Sequence, residues 1–174
     1  MFRGSLLSGA LLLVAAVAVL MFRLRPFADA QSNDEAQVRA LEDRFADAFK
    51  AKDVDRIMAN YEHSTNLVFF DVVVRSEYLG WEAYRNDWLS FFDSIGPVSL
   101  FEVKGLTVNV VGDAAYSYSF QHYRATTKGW GSRDVTVRVT DVYRKSDGKW
   151  LIVQEHVSVP VDPQTGKGDL HSTP

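Results

Sequence analysis

The chain has 174 residues, of which 47% are apolar and 24% charged, and its formal net charge is −3 with acids and bases interspersed. That is enough for one domain with a sizeable core, and it offers no basic footprint for nucleic acid. The absence of cysteine excludes disulfides, thiolate metal ligands and cysteine nucleophiles.

In chain order, the first segment, 1–30, stands apart. An apolar run from about Leu6 to Phe22 follows a single arginine, and Ala28-Asp29-Ala30 has the small-x-small form of a signal peptidase site. Cleavage before Gln31 would make the mature protein secreted or periplasmic. Arg23 and Arg25, directly after the run, leave an uncleaved membrane anchor as the alternative, because positive charge tends to stay on the cytoplasmic side. Membrane contact is expected only in that second case.

The folded part is assigned to 31–162. Ser32 with Glu35 reads as a capping box, after which Val38, Leu41, Phe45 and Phe49 recur at helical spacing to about Ala51. Asp53 caps a second, shorter helix with Val54, Ile57, Met58 and Tyr61 on one face. The segment NLVFFDVVV is rich in β-branched and aromatic residues and reads as a strand. A third helix starts near Gly80 and carries Trp81, Tyr84, Trp88, Phe91 and Phe92 on a broad aromatic face until Gly96-Pro97. From about Leu100 to Val159, alternation broken at Gly112-Asp113, TKGWGS and Ser146-Asp147-Gly148 predicts a meander of four antiparallel strands. Helices first and a long sheet afterwards give an α+β fold. The last stretch, 163–174, is polar, rich in turn formers and expected to be a flexible tail.

The last hairpin can be registered from its turn. A three-residue loop with Gly148 left-handed pairs Lys145 with Lys149, and then Val142 with Ile152, Thr140 with Gln154, Arg138 with His156 and Thr136 with Ser158. A slip of one residue would place Arg138 beside Val157, so this register depends on the turn type. On it, one face carries a polar wall above Trp150 and Ile152, which reads as the side of a pocket. The other carries Val137, Val139, Leu151, Val153, Val157 and Val159 and reads as an apolar contact surface for a second subunit.

At this point the chain resembles the SnoaL-like branch of the nuclear transport factor two-like and ketosteroid isomerase-like superfamily. The matching residues are AKDVDRIMANYEH, FFDVVVRSEYLGWEAYRNDWLSFF, VVGDAAYSY and VRVTDVYRKSDGKWLIVQEHVSVPVD, in that order, spanning roughly Glu35 to Asp162. The resemblance implies a cone-shaped, strongly curved antiparallel sheet and three helices enclosing a deep pocket, as in cystatin-like folds, with dimerisation commonly through the sheet. It also departs from the usual motif: Gln154 stands where that branch commonly carries histidine, and Arg75 and Ser76 stand near its usual prolines.

Within that frame His156 is the leading catalytic candidate, beside Arg138 and within reach of Thr140 and Ser158; the competing reading is a satisfied core histidine. Arg138 offers a fork of donors for a carboxylate or enolate oxygen, or else bridges Asp71 or Glu155. Asp71 ends an apolar strand, where a carboxylate can become a general base, and it resembles the aspartate often found near the pocket rim in this branch. Tyr61 and His63 either point into the pocket mouth or pack; Tyr84 and Trp88 have polar tips that would need partners in a lining. Thr136, Thr140, Gln154 and Ser158 complete the ligand-binding set. Tyr116, Tyr118, Phe120 and His122 alternate on one strand face that reads either as pocket or as interface. His63, His122, His156 and His171 show no metal-ligand spacing, and neither a phosphate loop nor a nucleophile elbow is present. No metal or other cofactor is expected. The reading is a pocket domain for a small, largely apolar ligand, with isomerase- or lyase-type proton transfer if it is an enzyme; the alternatives are a non-catalytic binding module and a dimeric assembly module.

Overall fold

A computed structural model of the chain describes residues 30–73, 75–127, 129 and 131–172. The predicted signal or anchor segment lies almost wholly outside the described residues. Helix α1 is followed over residues 30–51, and it buries Val38, Leu41, Glu42, Phe45, Ala48 and Phe49. This is the apolar stripe that the 3.6-residue period requires, with one carboxylate inside it. Ser32 lies within the helix rather than at its cap, and Glu35 pairs with Arg39 one turn on, at 2.8 Å. Helix α2 (Val54–Met58) starts where expected: the Asp53 side chain accepts from the Arg56 N–H at 3.0 Å. Strand β1 (Val68–Phe70) and strand β2 (Tyr78–Leu79) are shorter than the apolar run, and helix α3 (Trp81–Ser94) follows directly.

The meander is as read: β3 (Ile95–Val111), β4 (Ala114–Thr127), β5 (Gly131–Ser146) and β6 (Lys149–Ser158). Among the described residues the six strands form one open, curved sheet in the order β2-β1-β6-β5-β4-β3. Its pairs are antiparallel except β1 with β6, which is parallel. The three helices cover the concave side, where their aromatic residues meet the inward side chains of the strands. Phe49 is the hub: it stacks on Phe101 at 4.2 Å between ring centres and meets Trp88 edge-on at 5.7 Å.

The last hairpin departs from its predicted register for two local reasons. Asp147 and Gly148 both have positive φ, 50° and 75°, so the loop has two residues and Ser146 pairs with Lys149. The ladder then shifts between Val142 and Tyr143, where Tyr143 faces Ile152 but Val142 faces Gln154, leaving Val153 as a bulged residue. Beyond the bulge Asp141 pairs with Glu155, Thr140 with His156 and Arg138 with Ser158. The extra residue reverses the alternation of β6, so Trp150 and Ile152 are buried while His156 is exposed. Asp141 and Glu155 are buried in their place.

The stretch expected to be a flexible tail, 163–174, is described as far as residue 172 and makes contacts with the residues before it. Val161 bridges Gly168, and the Leu170 carbonyl accepts the Thr136 N–H at 2.7 Å. That contact uses the edge of β5 which the β6 ladder, ending at Ser158, no longer covers.

Candidate active site

Between the helices and the concave side of the sheet lies a cavity of about 150 Å³. Phe45 and Phe49 of α1, Tyr84, Trp88 and Phe91 of α3, Phe69 of β1, Phe101 of β3, Tyr123 of β4, Val135 and Val137 of β5 and Val157 of β6 form its walls. A void of this size lined by such rings holds a molecule of about one ring. Its open end carries the exposed Val72, Val73 and Arg133 and the partly exposed Asp71 and Asp87. Its buried end carries Glu155. The Trp88 indole N–H is buried and has no hydrogen-bond partner among the described residues.

Glu155 of β6 sits in a polar cluster built with residues of α1, α3, β4 and β5 and with Tyr61 just after α2. The Tyr61 hydroxyl, just after α2, donates to its Oε2, and the Tyr84 hydroxyl of α3 donates to its Oε1 at 3.1 Å. Across the ladder Glu155 stands directly opposite Asp141, whose buried carboxyl lies on the same face of the sheet. Two residues on, the Tyr143 hydroxyl donates to Glu42 Oε1 of α1 at 2.6 Å, lies 2.8 Å from Ser117 Oγ of β4, and comes within 3.5 Å of Asp141 Oδ2. Three carboxyl groups, three phenols and a serine are thus gathered, and among the described residues their hydrogen bonds involve no cationic side chain. Among the described residues, no group of histidine and acidic side chains is placed to hold a metal ion.

Burial without a counter-charge disfavours ionisation. Desolvation pushes Glu155 up to about 7, opposed by the Tyr61 hydrogen bond and assisted by the charge of Glu42. Desolvation likewise pushes Glu42 up to about 7, against the Tyr143 hydrogen bond. Asp141 is driven well above the carboxylate range by desolvation and then by the charges of Glu155 and Glu42. At the open end burial raises Asp71, while the Val72 N–H, donating at 2.6 Å, stabilises its carboxylate form. A carboxyl poised near neutrality, held by phenolic donors at the end of an apolar cavity, can both take and return a proton.

The sequence-derived candidates divide between the two sides of the sheet. Asp71, Tyr84 and Trp88 line the cavity. Tyr61 is buried beneath it and holds Glu155. His156, Arg138 and Thr140 are exposed on the convex side, where His156 meets Phe70 edge-on at 5.6 Å. Gln154 and Ser158 share that convex face, and Thr136, also on it, is buried beside the returning tail. The expected polar pocket wall is therefore the outside of the sheet, because the bulge at Val153 turned it over. Arg138 accordingly bridges neither Asp71 nor Glu155. His63 is exposed against Trp81, 4.4 Å between ring centres, and 3.7 Å from Glu82. The valines read as a contact surface divide too: Val137 and Val157 line the cavity, and Val139 is 1% exposed in the interior. Tyr116, Tyr118, Phe120 and His122 belong to the convex face, with Tyr116 paired to Val142 and Tyr118 to Thr140.

A family profile for the SnoaL-like domain matches residues 38–162. The chain belongs to the SnoaL-like family. No curated protein matches it. Among solved structures, this SnoaL-like chain is similar to a nuclear transport factor 2-like protein of unknown function from Pseudomonas putida. The two are 28% identical with a TM-score of 0.72, and the match covers 82% of this chain and 98% of that one. A nuclear transport factor 2-like superfamily protein from Salmonella enterica is 19% identical with a TM-score of 0.69, covering 79% and 99%. A ketosteroid isomerase-like protein from Erwinia carotovora is 22% identical with a TM-score of 0.61, covering 72% and 95%. The last two likenesses are likenesses of fold.

The residues of the SnoaL-like chain that sequence reasoning passed over are Glu42, Asp141, Tyr143 and Glu155. Each stands in phase with an apolar stripe: Glu42 beside Leu41 and Phe45, Asp141 two residues after Val139, Glu155 two before Val157. A charged group in phase with a buried stripe is the signal that was available. For Glu155 it becomes readable only once the bulge is known.

Proposed function

We propose that the chain binds a small, largely apolar, one-ring molecule in this cavity and catalyses proton transfer on it, as an isomerase or lyase. Glu155 is the group that takes and returns the proton. Tyr84, whose one phenolic proton goes to Glu155 Oε1 in the resting protein, turns that O–H to the oxygen on which charge develops once Glu155 has taken its proton, and Asp71 is the second acid at the open end. The observation that carries this reading is that Glu155, with its phenolic donors, closes an aromatic cavity. The unpartnered Trp88 N–H supports a ligand that brings its own acceptor.

The test uses a one-ring probe, 3-cyclohexenone. Its isomerisation moves a proton from the carbon between the carbonyl and the alkene to the far alkene carbon, giving the conjugated ketone, so atoms balance with Glu155 as the carrier. Wild type is expected to raise the rate of conjugated absorbance, and Glu155→Gln to lower that rate by about 10²-fold or more. Equal rates in the two proteins would overturn the catalytic role. Cavity-residue NMR shifts with the probe but without turnover would favour the non-catalytic binding module.

For localisation the proposal is export with cleavage after Ala30, supported by the apolar run and the Ala28-Asp29-Ala30 site. Amino-terminal sequencing of the protein from its host tests it, and a retained Met1 would favour the anchor.

A further inference from the structure

Resting on the reading of Glu155 as the proton-transferring group, we propose that Asp141 is its positioning residue, and that Asp141, Tyr143 and Glu42 form with it one proton-sharing chain from the cavity to helix α1. The geometry requires sharing. Asp141 and Glu155 are cross-strand partners, both buried, with their carboxyls on the same face of the sheet. Two buried carboxyls directly opposed with no cation beside them are held together only if one keeps a proton to donate to the other. Tyr61 and Tyr84 already donate to the two Glu155 oxygens. Asp141 Oδ1 is buried with no hydrogen-bond partner among the described residues, so it is the oxygen left to hold a proton toward Glu155. The shared proton therefore sits between the two acids.

On the other side, Tyr143 has one phenolic proton and two carboxyls within reach. The approach to Glu42, 2.6 Å, takes it, and the longer approach to Asp141, 3.5 Å, leaves Asp141 dependent on its own proton. Ionising Glu42 or Glu155 thus changes which protons the intervening groups must hold. The titratable groups facing the chain are Glu42 and Asp43 from α1, Tyr61 after α2, Tyr84 from α3, Asp141 and Tyr143 from β5 and, at longer range, Asp71 after β1. None is basic, so nothing in the cluster neutralises two negative charges at once. A purely structural role, tying α1 to the sheet, would need none of this coupling.

The test is a carboxyl NMR titration of the full chain with ¹³C-labelled glutamate side chains, without substrate, with signals assigned through Glu155→Gln and Glu42→Gln. In wild type, Glu155 and Glu42 are expected to titrate together in two overlapping steps near neutrality. Glu42→Gln keeps an acceptor for Tyr143 and should move Glu155 to lower pH as a single step. Asp141→Asn keeps a donor for Glu155 but holds no exchangeable charge, and should uncouple Glu42 from Glu155. Tyr143→Phe cuts the chain without removing an acid and should do the same. Glu155 curves in these variants that superimpose on wild type, with only thermal stability altered, would overturn the proposal. So would a wild-type Glu155 that titrates in the ordinary carboxylate range. Because no substrate is used, failure of the isomerase reading is seen separately: coupled titration with no turnover of the cyclohexenone condemns only the enzyme.

Discussion

At the scale of the residue, the cavity depends on a few aromatic side chains whose positions are tightly shared. Phe49 touches Phe45, Phe91, Phe92, Trp88, Phe101 and Tyr123, and it also lines the void. Removing it merges its own volume with the existing cavity, which leaves little chance for the surroundings to collapse. Phe49→Ala is expected to cost about 3–5 kcal/mol in chemical denaturation; a loss below about 1 kcal/mol would show that the ring is not the hub described. The same stripe was plain in the sequence as Val38, Leu41, Phe45 and Phe49. Glu42, which shares it, was overlooked because a carboxylate on a helix is ordinarily solvated. Its burial is explained by a partner 101 positions away, Tyr143, which no local pattern contains.

At the scale of the element, the strands and helices were legible wherever period and punctuation agreed. The four-strand meander, the Asp53 cap and the aromatic face of α3 all stand as read. The exposures on β6 do not, and a single bulged residue is the cause. The sequence SDGK admits loops of two or three residues, and nothing in LIVQEH marks Val153 as extra, so the side of the sheet taken by Glu155 and His156 was decided by tertiary packing. Helix α1 is fastened to this same hairpin. Asp34 accepts from Lys145 Nζ at 2.6 Å and from the Trp150 indole N–H at 3.1 Å, and Lys145 holds its carboxyl below the usual range. Asp34→Ala leaves a buried indole donor without that partner and is expected to destabilise the fold by about 1 kcal/mol. An unchanged denaturation midpoint would show that the clasp contributes nothing.

At the scale of the whole molecule, two surfaces remain to be assigned. The apolar face expected to meet a second subunit proved to be largely interior, whereas Tyr116 and Tyr118 stand 45% and 50% exposed on the convex side. We propose that the chain forms a homodimer through this convex face. Light scattering is expected to give twice the chain mass for wild type and one chain mass for Tyr118→Glu, whereas a wild-type monomer would contradict it.

The buried acids also set how stability varies with pH. Glu155 and Glu42 are raised to about 7 in the fold, against about 4.3 in an unfolded chain. Below the lower value both states are protonated and the difference vanishes. Between the two the unfolded chain loses protons that the fold retains, so stability falls as pH rises, on the order of a few kcal/mol, and the share of these two glutamates levels off above about 7 while Asp141, raised further, acts in the same direction. The partly exposed acids held low by hydrogen bonds, among them Asp134 and Glu102, act in the opposite sense only at more acid pH. The most direct measurement is therefore the thermal midpoint of wild type and of Glu155→Gln from pH 5 to pH 8. The wild-type midpoint is expected to fall across that range and the variant's slope to be shallower; a flat or rising wild-type midpoint, or identical slopes, would contradict a cavity closed by a carboxyl group poised near neutrality.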